Sequence, residues 1–223
     1  MARRNPPGRR QQRVAPARDT APRPAPAPAP FRLGAIPGAT PGKWIERWRE
    51  QRPQQRLVLE SVALVDQVAA LRDRRVDACI CRGPLAEDDL HVVRLYDEVP
   101  VVVMSAESSL AAADTLVASD LAGEVLIRSR DEAFEPAGLP TTPAAFAPLP
   151  TTEDAVATAA SGVGIAVMPM SLARLHHRRD ATFRPLEGVD GSAVVLAWLR
   201  ACDDDDVQAF VAITRGRTAR SSR

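Results

Sequence analysis

The chain is poor in aromatic residues and nearly empty of lysine. Only 4% of its 223 residues are Phe, Trp or Tyr, so a core must be built from Ala, Val, Leu and Ile. Lys43 is the one lysine, and arginine carries nearly all the positive charge. A GC-rich coding bias accounts for that as well as any function does. Cysteine is scarce and odd in number, at Cys79, Cys81 and Cys202. An odd count without a secretory leader argues against a disulfide framework and for reduced thiols in a cytoplasm. No apolar run reaches the length that crosses a bilayer, so no membrane partner is expected. The paired arginines of "MARRN" invite an export reading, but Pro6, Pro7, Gly8 and further Arg stand where an apolar stretch is needed. No Ser-His-Asp order, phosphate loop or carboxylate pair in context is present. The expectation is a protein that is not an enzyme and holds no cofactor.

What is present divides the chain in three. A 45% hydrophobic content is enough for a sizeable core. The formal charge of +1 conceals an asymmetry. Residues 1–30 carry seven Arg against one Asp, and residues 214–223 carry four Arg and no acid. The body between them then holds 18 basic against 27 acidic residues. Acidic surfaces do not seek nucleic acid, whereas basic tails can. Pro-Ala repeats from Pro22 to Pro30 favour an extended, solvated backbone that cannot offset the entropy of ordering. Residues 1–30 are therefore expected to be a disordered arm. Its Arg3, Arg4, Arg9, Arg10 and Arg13 are candidates for weak, non-specific contact with DNA phosphates. Residues 215–223 form a basic tail.

From residue 31 the pattern changes to alternating strands and helices. "FRLGAI" (31–36) reads as a strand. "TPGKWIERWREQRP" follows as a helix, with Thr40 as its cap, Pro41 at the first helical position and Pro53 ending it. Trp44, Ile45 and Trp48 form its apolar stripe. Residues 56–62 read as a strand, 65–75 as a helix and 76–83 as a third strand. That order indicates a parallel α/β sheet. Residues 90–105 hold two strands around Asp97 and Glu98, and "VPVVVM" lacks alternation, so it is expected to be buried on both faces. A short helix from Ser119 and a strand at 125–129 come next. Residues 130–150 read as irregular, with one short strand at 144–147. A helix capped by Thr151 or Thr152 ends at Gly162, before the strand "GIAVMP". "SLARLHH" is a helical turn, "TFRPLEG" and "SAVVLAWLR" are strands, and four acids open a final helix at "DDDDVQAF". The expected architecture is a two-lobed α/β clamshell over residues 31–214. Lobe I spans 31–103 and 193–214, lobe II spans 104–192, and a ligand sits between them.

At this point a family resemblance enters. "VLES…VAALRDRRVDACIC" is similar to the second strand, helix and third strand of the effector-binding domain of LysR-type transcriptional regulators. "EDAVATAASGVGIAVMPMSLA" resembles that family's helix, glycine turn and strand near the inter-lobe cleft. The resemblance covers about residues 31–214. It implies two Rossmann-like lobes joined by two crossover strands, as in type 2 periplasmic binding proteins. It also implies a small-molecule effector in the cleft, a homodimer and a role in transcription regulation. The family's helix-turn-helix is expected to be replaced here by the arm of residues 1–30. A non-regulatory ligand-binding protein, or a remnant of a full-length regulator, are the alternatives.

A cleft site belongs at the carboxyl ends of the first lobe's strands and at helix N-termini. Pro37, Gly38, Ala39 and Thr40 are the leading candidates, because free N–H groups there favour an anion such as a carboxylate; an ordinary βα loop is the plainer reading. Gly162, Val163, Gly164 and Ile165 are the second group, with a simple helix stop as the alternative. Arg82, and Arg128 with Ser129, end strands on opposite sides of the cleft. Either arginine could grip a carboxylate or pair with a local acid. Where the resembling family often has Ser or Thr, at the start of the second helix, this chain has Leu64, which points to a less polar effector or to none. His176 and His177 are adjacent and point apart, and Cys79 and Cys81 face one way on a strand, so neither pair is read as a metal site. In the resembling family the first helix contributes to the dimer, which leaves Trp44 and Trp48 between interface and core.

Overall fold

A computed structural model describes residues 29–133 and 138–216. The chain runs β1 (Phe31–Ala35), α1 (Gly42–Gln51), β2 (Leu57–Ser61), α2 (Gln67–Arg72), β3 (Ala78–Arg82), β4 (Leu90–Asp97) and β5 (Pro100–Ser105). It continues through β6 (Leu116–Val117), β7 (Val125–Leu126), β8 (Thr142–Pro143), α3 (Thr152–Ala160) and β9 (Ala166–Pro169). It ends with α4 (Met170–Leu175), β10 (Ala181–Glu187), β11 (Ala193–Leu199) and α5 (Asp205–Thr214).

Two sheets result. The first has the order β2-β1-β3-β11-β4, parallel through β2, β1 and β3 and antiparallel where β11 joins β3 and β4. The second has the order β6-β10-β5-β9. β7 and β8 make a small parallel pair beside it, and Leu126 bridges to Ile165. The chain passes between the sheets twice, at Glu98–Val99 and across residues 188–192. These are the two lobes and two crossings of the expected clamshell.

The first crossing corrects one boundary. Lobe I was expected to reach residue 103, but β5 pairs along its length with β10 and β9 in the second sheet. Its uninterrupted burial gives a central strand no mark of which sheet it enters. The strand expected at 144–147 is likewise a two-residue strand at Thr142–Pro143.

Both sheets are covered on both faces. β3 shows how. Ala78 and Ile80 point to α1 and α5, among Leu33, Trp48 and Phe210. Cys79 and Cys81 point the opposite way, among Val62, Ala70 and Leu71. The period of two along a strand divides the two cores. In the second lobe Val101 and Val103 meet Val156 and Leu172 of α3 and α4. Val102 and Met104 meet Leu116, Leu121 and Ile165 on the other face.

The two buried thiols are core residues. Contact with Cys79, and then burial, push the Cys81 thiol up, which leaves little thiolate to react. Cys202 is half-buried. A native-state titration with an aromatic disulfide reagent is therefore expected to count one reactive thiol, and three after unfolding. A fast count of three in the native protein would contradict this packing.

Helix ends follow side-chain chemistry. Asp204 accepts hydrogen bonds from the backbone N–H groups of Asp206 at 3.0 Å and Val207 at 2.9 Å, which starts α5. Asp206 also pairs with Arg52 at 2.9 Å, tying α5 to the end of α1. Gly162 at φ +81° terminates α3. Among the described residues, no helix is long and apolar enough to cross a membrane.

Candidate functional site

The carboxyl ends of parallel strands are where an α/β sheet leaves space, because the chain turns away from the sheet edge there. β1, β2 and β3 end side by side, and they face the start of α3 and the end of α4 across the gap between lobes. The cleft so formed encloses about 700 Å3. That lies within the roughly 300–1,000 Å3 usual for small-molecule sites.

Lobe I supplies Pro37, Gly38 and Ala39 after β1, Leu59 to Ser61 at the end of β2, and Ala63 to Val65 after it. Lobe II supplies Asp131, Thr151 to Glu153, Leu172, Leu175 and His176. Much of the wall is aliphatic. Leu59, Val65 and Leu175 are 48%, 79% and 55% exposed, an uncovered apolar rim facing the gap.

Beneath the cleft lies a buried ion pair. Arg82, at the end of β3, donates from Nε to Glu98 Oε2 at 2.6 Å and from Nη2 to Oε1 at 3.1 Å. Both side chains are 3% exposed. Glu98 is in the first crossing. Ser192, in the second crossing, donates to its Oε2 at 3.0 Å, and Ser171 of α4 donates to its Oε1. Gln67 of α2 brackets the Arg82 backbone, accepting from its N–H and donating to its C=O, both at 3.0 Å. One carboxylate thus gathers both crossings and both lobes. Glycine makes the approach possible at Gly191, where a Cβ would lie 1.8 Å from the Glu98 carbonyl oxygen. Gly38, at φ +85°, would bring a Cβ to 2.7 Å from Ser171 Oγ. Both positions require the absent side chain.

The structure sorts the residues singled out from the sequence. Pro37, Gly38, Ala39, Leu64 and Arg82 do line the cleft. Thr40 does not. It is exposed, and α1 starts from the Pro41 carbonyl, which accepts from Trp44 N and Ile45 N, with no side-chain cap. Arg82 is engaged with Glu98, so it serves as part of the hinge and not as an open clamp. Arg128 pairs with Glu132 at 2.6 Å, away from the cleft lining. Ser129 is buried behind the wall, with its Oγ 3.4 Å from Thr152 Oγ1.

The turn Gly162, Val163, Gly164 and Ile165 is also absent from the cleft. A Cβ on Gly164 would lie 2.2 Å from the Val125 carbonyl oxygen, so this glycine serves the approach of β7 rather than of a ligand. Ile165 is buried against Leu126, and Val163 is half exposed. Arg3, Arg4, Arg9, Arg10 and Arg13, and the disorder expected of the arm, lie outside the described residues.

Sequence reasoning missed the lobe II wall. His176 was weighed only as a metal ligand, and Asp131 fell in a stretch read as irregular. Of the two expected caps, Thr151 caps α3, accepting from Asp154 N at 3.1 Å, while Thr152 Oγ1 donates to Asp131 Oδ1 at 2.9 Å. Glu60 and Ser61 were within reach, since parallel neighbours end at the same sheet edge.

Comparison with known proteins agrees with this geometry. The family described as LysR substrate binding domain matches residues 27–219. The Hca operon transcriptional activator HcaR of Escherichia coli (strain K12) is 24% identical over 179 residues, covering 75% of this chain and 60% of HcaR. The chain therefore spans about three-fifths of the length of that curated relative. The effector binding domain of BenM, solved with its effector benzoate, superposes with a TM-score of 0.68 at 18% identity, over 83% of this chain and 90% of that one. The reduced form of the OxyR regulatory domain from Pseudomonas aeruginosa gives 0.62 at 23% identity, over 83% and 93%.

Proposed function

The chain belongs to the LysR substrate binding domain family, and we propose on that premise that it closes its lobes over a small-molecule effector to regulate transcription. The observation that carries this reading is the cleft itself. It is walled by both lobes, and the only covalent connections between the two sheets among the described residues are the crossings at Glu98–Val99 and 188–192. A guest touching both walls favours one lobe angle over others, and only such differential contact can shift a conformational equilibrium. Binding rather than catalysis is the reading, in keeping with relatives that are a transcriptional activator and regulatory domains.

The same reading includes a cytoplasmic setting, a second copy of the chain as partner, and a weak phosphate contact by Arg3, Arg4, Arg9, Arg10 and Arg13. The carboxylate expected as effector rested on Arg82, Arg128 and an open helix N-terminus. Arg82 and Arg128 already face Glu98 and Glu132.

The test is a thermal-shift screen of small metabolites against the wild type and an Ala63→Trp variant. Ala63 is exposed and lines the cleft, so the indole fills the site without disturbing a core. A ligand at a hundredfold excess over Kd is expected to add about 2.7 kcal/mol to the wild type and little to the variant. Equal stabilisation of both would place binding elsewhere and defeat this assignment.

A further inference from the structure

We infer that the cleft accepts a cationic organic molecule, an amine on an apolar body, in preference to a carboxylate. This rests on the assignment of the cleft as the effector site and deepens it. Five titratable side chains line the cleft: Glu60, Arg82, Asp131, Glu153 and His176. Three are carboxylates. One of the two basic groups, Arg82, is already matched by a buried carboxylate from the crossing. Arg178 acts on Glu153 and Arg32 on Glu60 from outside, but each is itself paired, with Asp180 at 2.9 Å and with Asp77 at 2.6 Å. The acids of the wall therefore lack an equal number of uncommitted cations.

The position most suited to an anion is flanked by the chain's own acids. A helix N-terminus attracts negative charge through its free N–H groups and dipole. At α3 the Asp131 carboxylate takes the Thr152 hydroxyl at 2.9 Å. Glu153 sits in the first turn, and Thr151 covers the Asp154 N–H. An incoming carboxylate would meet two acids where it needs donors. An ammonium group meets acceptors instead. The remaining wall, with Leu59, Leu64, Val65, Leu172 and Leu175, suits a hydrocarbon body.

Benzylamine and benzoate share a ring and differ in charge, as do hexylamine and hexanoate. Binding of each to the full chain, measured by calorimetry in low-salt buffer, is expected to favour the amine about tenfold, with the preference shrinking as salt is added. Asp131→Asn with Glu153→Gln is expected to erase the preference. Ala63→Trp is expected to abolish amine binding. Tighter binding of the acids, lost in Ala63→Trp, overturns the charge class and leaves the cleft assignment standing. Amine binding untouched by Ala63→Trp overturns the cleft as its site. Failure of both amines to bind at roughly 10 mM, a limit weaker than 3 kcal/mol of affinity, overturns the inference, while any other ligand excluded by Ala63→Trp still upholds the cleft.

Discussion

Glu98→Ala is expected to lower the free energy of unfolding by about 3–5 kcal/mol, because it leaves the Arg82 guanidinium buried without its counter-charge. In a chain of this size that is a fall in Tm of roughly 6–20 °C. The cost is not the value of the ion pair in isolation. Two charges taken from water lose solvation comparable to what they gain from each other. Removing one partner leaves the other's loss uncompensated. Here the loss spreads further, since Ser192 and Ser171 donate to the same carboxylate and Gln67 holds the Arg82 backbone.

A double replacement separates charge from shape. Arg82→Met with Glu98→Leu removes both charges and keeps most of the volume, and it is expected to recover most of the stability lost by Glu98→Ala. Thermal and urea unfolding of the wild type and the two variants read this directly. If the single and double variants were equally destabilised, the penalty would come from lost packing at the crossings. The double variant also bears on function. It has lost the side-chain link from the crossings to Ser171 on α4, while the backbone bonds from Glu98 N to Ser192 O and from Met170 N to Val99 O, both at 2.9 Å, remain, so the lobe angle is held by fewer hydrogen bonds. Retained stability with altered effector affinity is the expected signature.

The elements that made this architecture legible were those whose sequence pattern is local. The βαβαβ run of lobe I announces itself through alternation, Pro53 and a parallel strand order. The acids opening α5 identify its start because a capping carboxylate acts within three residues. Part of the lobe I half of the cleft, Pro37 to Ala39, followed from a strand end, and Leu64 from the family resemblance. The rest depends on partners distant in sequence. Arg82 ends a strand in the way a clamp would, and nothing near it tells that Glu98 and Ser171 converge on it from 16 and 89 residues away. Gly164 has the character of a ligand-facing glycine until the Val125 carbonyl is seen beneath it. Asp131 stands outside any periodic element, so its place at the α3 N-terminus is set only by tertiary folding. Burial on both faces, which marked β5 as central, is the same property that concealed its sheet.

Trp48→Ala is expected to cost about 3–5 kcal/mol, the range for removing a large aromatic side chain from a well-packed core. Trp48 is fully buried; it stacks on Phe31 at 4.8 Å and lies 6.0 Å from Phe210, joining β1, α1 and α5. Its indole N–H donates to the Gln55 carbonyl at 2.9 Å, and Gln55 in turn donates to Asp206 Oδ2 at 2.7 Å. Trp48→Phe keeps most of the ring area and loses that hydrogen bond, so a smaller loss of about 1–2 kcal/mol is expected. Trp44, one turn earlier on α1, is half-buried and packs only against the margin of this core. Trp44→Ala is therefore expected to cost less than Trp48→Ala in urea unfolding at low protein concentration. The dimer proposed above adds a separate signature. If α1 contributes to it, Trp44→Ala lowers the sedimentation-derived association constant, while Trp48, sealed inside one chain, has no side-chain surface to offer a partner. Equal unfolding losses for the two tryptophans would mean that α1 is rotated from the orientation described.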